Sequence, residues 1–441
     1  MSRRFRVFAF SLLVTLGVLV AACSDRVGDD AADDAVEDIA AEEVNDDDAS
    51  VDETDDPTPE PTEPAATPEA TPDTDADDDS DVADSTGRDE EREPFWMRSW
   101  EDTDFDNRTV DLDEIRSGGV PPDGIPPIDE PQFIEQEEAD EWLEDREPVI
   151  VMDIEGDVRA YPLQILTWHE IVNDEFGDMP VAVTFCPLCN SAVAFEREVE
   201  GLGEVRLGVS GLLRNSDLIM WDDKTESFWQ QITGEAIVGE MAGTQLTFLP
   251  SVIVSYGDFK ENHPDGVVLS RDTGHNRAYG NNPYEGYDDI DSSPFMFNEL
   301  PDDRLAAMER VLVLELNDEP IAYPFSRLED HPVVHDEVGG EPVVVFWSEG
   351  TTSALDQTSI ADSKDVGAAV AFNPVLDGEE LTFVYEDGEF RDEQTGSTWS
   401  MLGQATSGDL EGERLEEYIS GQHFWFAWAA FQPDTEIWSP N

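Results

Sequence analysis

Two cysteines three residues apart, Cys186 and Cys189, form the motif of this chain with the clearest chemical potential. Apolar runs at 181–185 and 192–195 flank them, which predicts a strand, a tight turn carrying both thiols, and a second strand. One further cysteine, Cys23, lies far away near the N-terminus. The C-P-L-C turn is therefore the first place to look for a functional site.

Thiol-based redox chemistry is the first hypothesis for this turn. It requires two sulfur atoms within bonding reach and one thiol with a lowered pKa. Cys186 would be the nucleophile toward an oxidant or a disulfide, and Cys189 the resolving thiol. His275 or Arg277 would stabilise the thiolate, and no cofactor would be required. The βαβ pattern that accompanies a thioredoxin-like C-x-x-C is missing, so fold analogy does not add support.

Two other interpretations stay open. Cys186, Cys189 and His169 could bind copper or zinc, since thiolate and imidazole suit both metals, although one C-x-x-C alone is weak support. The two cysteines could also form an inert structural disulfide, as exported domains often do. The sequence thus leaves open whether the protein is an enzyme, and the alternative is a non-enzymatic cell-surface module that binds a ligand or a metal.

A loop at 271–287 combines His275 and Arg277 with aromatic residues between glycine and asparagine turn residues. Such a loop is typically exposed and offers hydrogen-bond donors and aromatic faces to a ligand. Basic side chains are far outnumbered by acidic ones in this chain, 24 against 104, and the planar guanidinium of an arginine suits a carboxylate or phosphate group. The predicted substrate-binding residues are Arg214, Asn215, Tyr279, Tyr284 and Tyr287.

An internal repeat organises the chain. Residues 149–192 align without gaps to residues 311–354, and 16 of these 44 positions are identical. The second copy has Ser348 and Thr351 where the first has the two cysteines, and it lacks a counterpart of the 271–287 loop. A period above 150 residues indicates a duplicated half-domain rather than a solenoid. We therefore expect the site in the first copy.

The spacing of strand-like runs and turn residues predicts an α+β fold that is predominantly β, with short helices. Two pseudo-repeated β-rich halves, 146–303 and 304–441, would share a core and follow an N-terminal extension at 94–145. The predicted helices lie at 135–145 and 162–173.

The N-terminus indicates export. Three arginines and an apolar run precede L-V-A-A-C, which resembles a bacterial lipobox, so residues 1–23 form a lipoprotein signal peptide and Cys23 would carry the lipid. Residues 24–93 are mostly Asp, Glu, Ala, Thr and Pro, which predicts a disordered acidic tether. The expected location is the cell envelope, with the membrane as a partner through the lipid alone.

The formal net charge is −80, from 104 acidic and 24 basic side chains. So acidic a protein repels nucleic acid, which is excluded as a partner. Carboxylates with almost no lysine also suit high salt, so we expect a halophilic source. A small molecule or a redox protein could be a partner, but the sequence does not identify it.

Four motifs in order resemble the domain of unknown function 3179 family: the run T-F-C-P-L-C-N-S-A-V-A-F, the segments 210–222 and 225–231, and the loop at 273–287. The resemblance implies an exported protein without an established activity. Some members of that family contain selenocysteine, which implies a reactive position if it falls at Cys186. Many relatives have another residue in place of Cys189, which weakens any mechanism that needs both thiols.

Overall fold

The computed structural model describes residues 94–297 and 299–440, which belong to one compact unit. Strands dominate it and the helices are short, which confirms the predicted fold class. None of the helices in these two ranges is long and apolar enough to cross a membrane. The predicted signal peptide, the predicted tether and the predicted lipidation site at Cys23 lie outside the described residues.

The first part of the fold runs to Leu269 and carries the C-P-L-C motif. Its helices and strands are β1 (Ile115–Ser117), β2 (Phe133–Ile134), α1 (Gln136–Ala139), β3 (Pro148–Ile154), β4 (Asp157–Pro162), α2 (Leu163–His169), β5 (Ile171–Phe176), β6 (Met179–Cys186), β7 (Ser191–Glu196), β8 (Glu198–Val199), β9 (Gly203–Glu204), β10 (Leu207–Arg214), β11 (Asp217–Asp222), β12 (Phe228–Gln230), β13 (Ala236–Val238), β14 (Thr247–Leu249), β15 (Val252–Ser255), α3 (Tyr256–Asn262) and β16 (Val267–Leu269).

The second part begins at Arg310. Its elements are β17 (Arg310–Leu316), β18 (Glu319–Pro324), α4 (Phe325–Leu328), β19 (Val333–Val338), β20 (Glu341–Ser348), β21 (Ala368–Asn373), β22 (Val375–Leu376), β23 (Glu379–Glu380), β24 (Phe383–Glu386), β25 (Glu389–Asp392), β26 (Thr398–Trp399), β27 (Ala405–Ser407), β28 (Glu416–Glu417), β29 (Ser420–Phe424), α5 (Trp425–Phe431) and β30 (Glu436–Ile437). Short 3₁₀ helices occupy Phe95–Ser99, Leu112–Glu114, Pro187–Cys189 and Ile360–Asp362.

Three sheets form the first part, with strand orders β15-β3-β4-β16-β2, β14-β7-β6-β5 and β1-β10-β11-β12-β13. The extension contributes the edge strands β1 and β2 to two of them. The second part has sheets β29-β17-β18-β30, β28-β21-β20-β19 and β24-β25-β26-β27, which follow the same order of elements. This correspondence supports the duplication, which stays an inference from the sequence.

One buried cluster contains residues from both parts, among them Val149 and Val254 from the first and Phe346 and Phe372 from the second. The two parts therefore bury apolar surface against each other, which is the main source of folding free energy.

The predicted helices are shorter than expected. The pattern at 162–173 gives a helix that ends at His169, because Ile171 and Val172 enter strand β5 and pair with Thr184 and Val183 of β6. The β-branched side chains of these residues suit a strand. The pattern at 135–145 gives only the four residues of α1.

A buried corner recurs in both parts with the same hydrogen bonds. The indole Nε1 of Trp229 donates to Oδ2 of Asp222 at 3.0 Å, and Trp399 donates to Asp392 at 3.0 Å. Gly239 follows with a φ of 107°, and a Cβ there would lie 2.5 Å from the Ser227 hydroxyl. Only glycine fits such a backbone, so these shared residues hold the structure.

We expect Asp222→Ala and Asp392→Ala each to lower the free energy of unfolding by about 3 kcal/mol, because each leaves a buried indole N–H unpaired and removes the carboxylate that binds the threonine of the corner. Urea unfolding at fixed salt measures both. A loss below about 1 kcal/mol in either variant would contradict a structural role for the corner.

His423 is a fully buried histidine on β29, stacked on Trp428 with the ring centroids 5.5 Å apart. Its Nδ1 has no hydrogen-bond partner among the described residues, and burial lowers its pKa to about 3. The unfolded chain takes up a proton near pH 6.5 but the folded chain does not. This histidine therefore destabilises the fold as pH falls below about 6.5.

We expect His423→Phe to recover about 2 kcal/mol of unfolding free energy at pH 5 relative to pH 8. Urea unfolding at both pH values measures this difference. The exposed His331 provides the control through His331→Phe. An equal response of wild type and His423→Phe to pH would show that the ring is not held neutral.

Candidate functional site

The C-P-L-C motif forms the predicted strand, turn and strand. Strand β6 ends at Cys186, which pairs with Ser191 at the start of β7. Between them, 187–189 make one 3₁₀ turn, where the fixed φ of Pro187 suits the first helical position. Asn190 then reverses the chain with a φ of 49°. The turn places both thiols on the same inner side of the β6–β7 hairpin.

A hydrogen-bond network under the turn fixes its position. The side-chain amide of Gln231 donates to the Thr184 hydroxyl at 2.8 Å and to the carbonyl of Ser191 at 3.1 Å. The Ser191 hydroxyl donates back to Oε1 of Gln231 at 3.0 Å. All three residues are fully buried, so a satisfied polar network of this kind specifies one arrangement of the hairpin.

Asp217 reaches the thiols from a different hairpin. Strands β10 and β11 are joined by Asn215 and Ser216, with φ values of 51° and 67°, the left-handed pair expected in a two-residue hairpin turn. Asp217 follows the turn and is fully buried. Its Oδ2 accepts hydrogen bonds from Nε2 of Gln230 at 2.7 Å and from the Ile232 amide at 3.0 Å.

Ligand atoms of Cys186, Cys189 and Asp217 all lie within 4.8 Å of one another. Both cysteines are free thiols, and none of the three residues is more than 2% exposed. Oδ1 of Asp217 has no hydrogen-bond partner in the described part of the chain. The cluster therefore combines two soft donors with one oxygen donor that is not otherwise engaged.

The electrostatic environment of the thiols differs from the one expected for a nucleophile. Burial raises the pKa of Cys186, and the carboxylates of Asp217 and Glu170 raise it further. Burial and the neighbouring Cys186 raise the pKa of Cys189 well above its usual range. Burial also raises the pKa of Asp217 to about 6. Without another group, both thiols therefore keep their protons at neutral pH.

A second carboxylate, Glu170, lies beside the cluster at the junction of α2 and β5. It is 7% exposed, and its carbonyl accepts a hydrogen bond from the Phe185 amide at 2.8 Å, next to Cys186. Burial raises its pKa to about 8, with Asp217 as the second cause. Four acidic groups are thus gathered in one buried region.

Residues 271–297, which we name the strap, cover this region. Burial raises the pKa of Tyr284, and Glu170 and Cys186 raise it further, so this ring lies close to both. The strap is fastened to the second part of the fold: the Asn282 amide donates to the Thr358 carbonyl, and the Gly286 amide donates to the Asp356 carbonyl, each at 2.7 Å.

The strap also contacts the first part. The amide of Phe295 donates to the Tyr287 hydroxyl at 3.2 Å, and the Ser216 hydroxyl donates to the carbonyl of Phe295. Phe295 thereby links the strap to the turn preceding Asp217, and Tyr287 holds Phe295 from within the strap. Its pKa is raised by burial and also by both thiols. The strap thus covers the thiols and contacts both parts of the chain.

His169 is buried and belongs to a separate group of side chains. Its Nδ1 lies 2.7 Å from the Pro126 carbonyl and therefore carries the proton, so Nε2 accepts from the Tyr279 hydroxyl at 2.6 Å. Burial, together with the nearby His275 and Arg277, lowers its pKa to about 4. His275 and Arg277 thus lie near His169. By contrast, the charged groups that raise the pKa of Cys186 are the carboxylates of Asp217 and Glu170.

The remaining predicted residues lie at the β10–β11 hairpin. Arg214 pairs with Glu114 at 2.7 Å and lies over the ring of Phe431, and Asn215 forms the turn. The structure therefore brings Cys186, Cys189, Tyr284 and Tyr287 together. His169, His275, Arg277 and Tyr279 gather in the neighbouring group.

Sequence reasoning missed Asp217 and Glu170. For Glu170 a signal was present, because the aligned residue of the second copy is Pro332, so this glutamate, like the thiols, occurs in the first copy alone. Asp217 lies 28 residues beyond Cys189, in a segment whose register is set by tertiary pairing, and no local pattern marks it.

The fold and the site together describe a predominantly β protein with a buried cluster of two thiols and a carboxylate. The chain belongs to the family described as protein of unknown function DUF3179, whose model matches residues 122–435. This confirms the family indicated by the motifs. No curated protein and no solved structure gives a significant match.

Proposed function

We propose that this protein binds one thiophilic divalent cation of the zinc type through Cys186, Cys189 and Asp217. The observation that carries the proposal is the meeting of two free thiols and an unpartnered carboxylate oxygen within 4.8 Å, all of them buried. Three protein ligands with one further position are typical of zinc sites that hold a water or a substrate.

Charge supports this proposal. Thiolates and carboxylates are strongly disfavoured in a buried region unless a positive charge is present. A divalent cation would offset that repulsion and displace the thiol protons, as thiolate ligation of metals requires. The raised pKa values of the thiols describe the metal-free protein and oppose a thiolate nucleophile there.

The supporting contacts suit a ligand role for Asp217. Gln230 and the Ile232 amide hold Oδ2 and leave Oδ1 directed to the thiols. Such outer hydrogen bonds orient metal ligands and tune their affinity. Two sulfur donors favour zinc or copper over the oxygen-preferring magnesium and calcium.

Zinc titration of the full chain tests the proposal. The chain carries Cys23→Ser, so that Cys186 and Cys189 are its sole thiols, and is reduced beforehand. A chromophoric chelator competes for zinc in excess Mg²⁺, which occupies the acidic surface. We expect one equivalent of tightly bound zinc and protection of both thiols from alkylation. Absence of that equivalent in wild type, or its persistence in Cys186→Ser/Cys189→Ser, would refute the metal site.

Dithiol redox chemistry is the second candidate, favoured by the carboxylate beside both thiols. Cys186 would attack one sulfur of an external disulfide after giving its proton to Asp217, and the released thiolate would take that proton. Cys189 would then resolve the mixed disulfide and release the second thiol. Rapid, zinc-insensitive oxidation of both thiols by a small-molecule disulfide would favour this candidate. The burial of both sulfur atoms opposes it.

We also propose an exported protein anchored to the membrane by lipid on Cys23. The lipobox-like sequence and the acidic residues that follow it support this proposal. Mass spectrometry of the N-terminal peptide from membranes would detect a lipidated cysteine. An unmodified peptide that retains residues 1–22 would contradict it.

A further inference from the structure

Arg277 is a partly buried arginine that the fold leaves without a partner. Its Nε is buried and has no hydrogen-bond partner, and within residues 94–297 and 299–440 no carboxylate forms an ion pair with its guanidinium. Arg214 differs, because it pairs with Glu114 at 2.7 Å. A buried polar group without a partner is unfavourable unless another group binds it. The chain has 104 acidic side chains, yet none of the described ones fills this position.

The loop that carries Arg277 is held in place by its own side chains. The hydroxyls of Thr273 and Tyr279 lie 2.5 Å apart, and the His275 amide donates to the Thr273 hydroxyl at 3.3 Å. The Tyr279 hydroxyl donates to Nε2 of His169 at 2.6 Å, which fixes the loop to α2. Arg277 lies two residues from both His275 and Tyr279. Burial raises the pKa of Tyr279 and the charge of Arg277 opposes that rise, which agrees with this placement.

His275 brings a second donor to this loop. Its ring is exposed and lies 5.4 Å from the ring of His169, measured between centroids. His169 is neutral near pH 7, because both of its ring nitrogens are engaged and its pKa is lowered to about 4. Residues 273–279 include no acidic side chain. The positive charge of the loop therefore comes from Arg277 and, when its ring is protonated, from His275.

Arg271 lies beside the far end of the same loop. Its Nε donates to Oε1 of Gln164 at 3.0 Å, and Gln164 in turn donates to Glu147, so an amide separates this arginine from that carboxylate. A Cβ at Gly280 would lie 3.3 Å from Nη2 of Arg271, which shows that the main chain after Tyr279 passes close to this guanidinium. A second guanidinium therefore lies next to the loop, without an ion pair to a carboxylate of the described residues.

We infer that Arg277 and His275, together with Arg271, form a binding site for a phosphate group that is separate from the thiol cluster. A guanidinium presents its N–H donors in a fork that matches the oxygens of phosphate and carboxylate groups. One such fork already satisfies the two oxygens of a carboxylate, whereas the three terminal oxygens of a phosphate group use the additional donors of His275 and Arg271. The second copy has no counterpart of this loop, so the site belongs to the first copy alone.

Inorganic phosphate tests the site on the reduced, metal-free full chain with Cys23→Ser, so the result does not depend on metal binding. Histidine labelled with ¹³C at Cε1 gives one NMR signal per ring, and His275→Gln assigns the signal of His275. At fixed chloride we expect this signal to shift saturably with phosphate, while the signal of the exposed His331 does not. Arg277→Gln should weaken phosphate binding at least about tenfold, because it removes a charged hydrogen-bond partner. The matched control Arg98→Gln removes an exposed arginine elsewhere and should change phosphate binding less than about twofold.

Two further probes identify the source of the phosphate group. Glycerol phosphate that binds more tightly than inorganic phosphate would identify the ligand as an organic phosphate ester, and the reverse order would identify free phosphate. Acetate that binds as tightly as phosphate would overturn the choice of phosphate over carboxylate. A His275 signal that neither phosphate shifts, or equal phosphate binding by wild type and Arg277→Gln, would overturn the site and leave the metal proposal standing. Failure of zinc binding would overturn the metal proposal and leave this site standing.

Discussion

Replacing Asp217 by asparagine should lower zinc affinity on the order of 100-fold. Structural zinc sites contribute about 10–16 kcal/mol through four ligands, so one ligand accounts for about 3 kcal/mol, and each 1.4 kcal/mol is tenfold in affinity. The variant is close to isosteric, and the asparagine oxygen can still accept from Gln230 or Ile232. Chelator competition with the reduced full chain measures the change.

The same variant should make the metal-free thiols more reactive. The Asp217 charge raises the pKa of both cysteines, so its loss increases the thiolate fraction at a given pH. Alkylation at pH 8 should therefore become severalfold faster as zinc affinity falls. Asp222→Asn is the matched control, since Asp222 is equally buried at the other end of β11. Slower alkylation in Asp217→Asn would show that this electrostatic description of the cluster is wrong.

Breaking the ion pairs of Asp288 should cause the largest loss of stability, about 3–5 kcal/mol. Its side chain is 1% exposed and contacts Arg310 and Lys364, each at 2.9 Å, and it accepts from the Ser353 hydroxyl at 2.6 Å. Asp288→Ala leaves the buried Arg310 without this counter-charge. Since Asp288 lies in the strap, zinc affinity should fall as well.

Urea unfolding at fixed salt measures that loss, with Asp302→Ala as the control. Asp302 pairs with Arg304 at 2.9 Å on the same connecting segment, but both side chains are partly exposed, so its loss should be below about 1 kcal/mol. Equal losses in the two variants would contradict a special role for the buried group.

The stability from Asp288 should also depend on pH. Burial alone would raise its pKa, but Arg310, Ser353 and Lys364 together hold the pKa below its usual range. A carboxylate of this kind stabilises the fold above its unfolded pKa, and that contribution disappears as the pH falls through the folded value. The difference between wild type and Asp288→Ala should therefore shrink below about pH 4.

Much of the scaffold was predictable from the sequence, because β-branched runs and turn residues mark strands and hairpins locally. The β3–β4 hairpin, for example, turns at Glu155 and Gly156, where a glycine separates two strand-like runs. The helix ending at His169 was predicted four residues too long, since the pairing of Ile171 and Val172 with β6 overrides the local pattern. Tertiary pairing decides such boundaries.

The site was predictable only in its thiols and its covering loop. The C-x-x-C motif indicated the sulfur atoms, but the side chains that surround them come from β11 and from the end of α2. Their meeting depends on how two sheets and α2 pack. Likewise, His275 and Arg277 share a loop with Tyr284, yet they lie near His169. Neighbours in sequence need not share a site.

The fastening of the strap to residues 356–358 has a consequence for how the two copies diverged. If the chain arose by duplication, the copy without the two cysteines still contributes to the site. Its residues 356–358 bind the strap that covers the sulfur atoms of the first copy. The first copy carries the thiols and the second copy holds the segment that covers them, so a change in either copy affects the same site. Because the bonds from the Asn282 and Gly286 amides are both to main-chain carbonyls, they constrain the backbone of residues 356–358 rather than the side chains of Asp356 and Thr358.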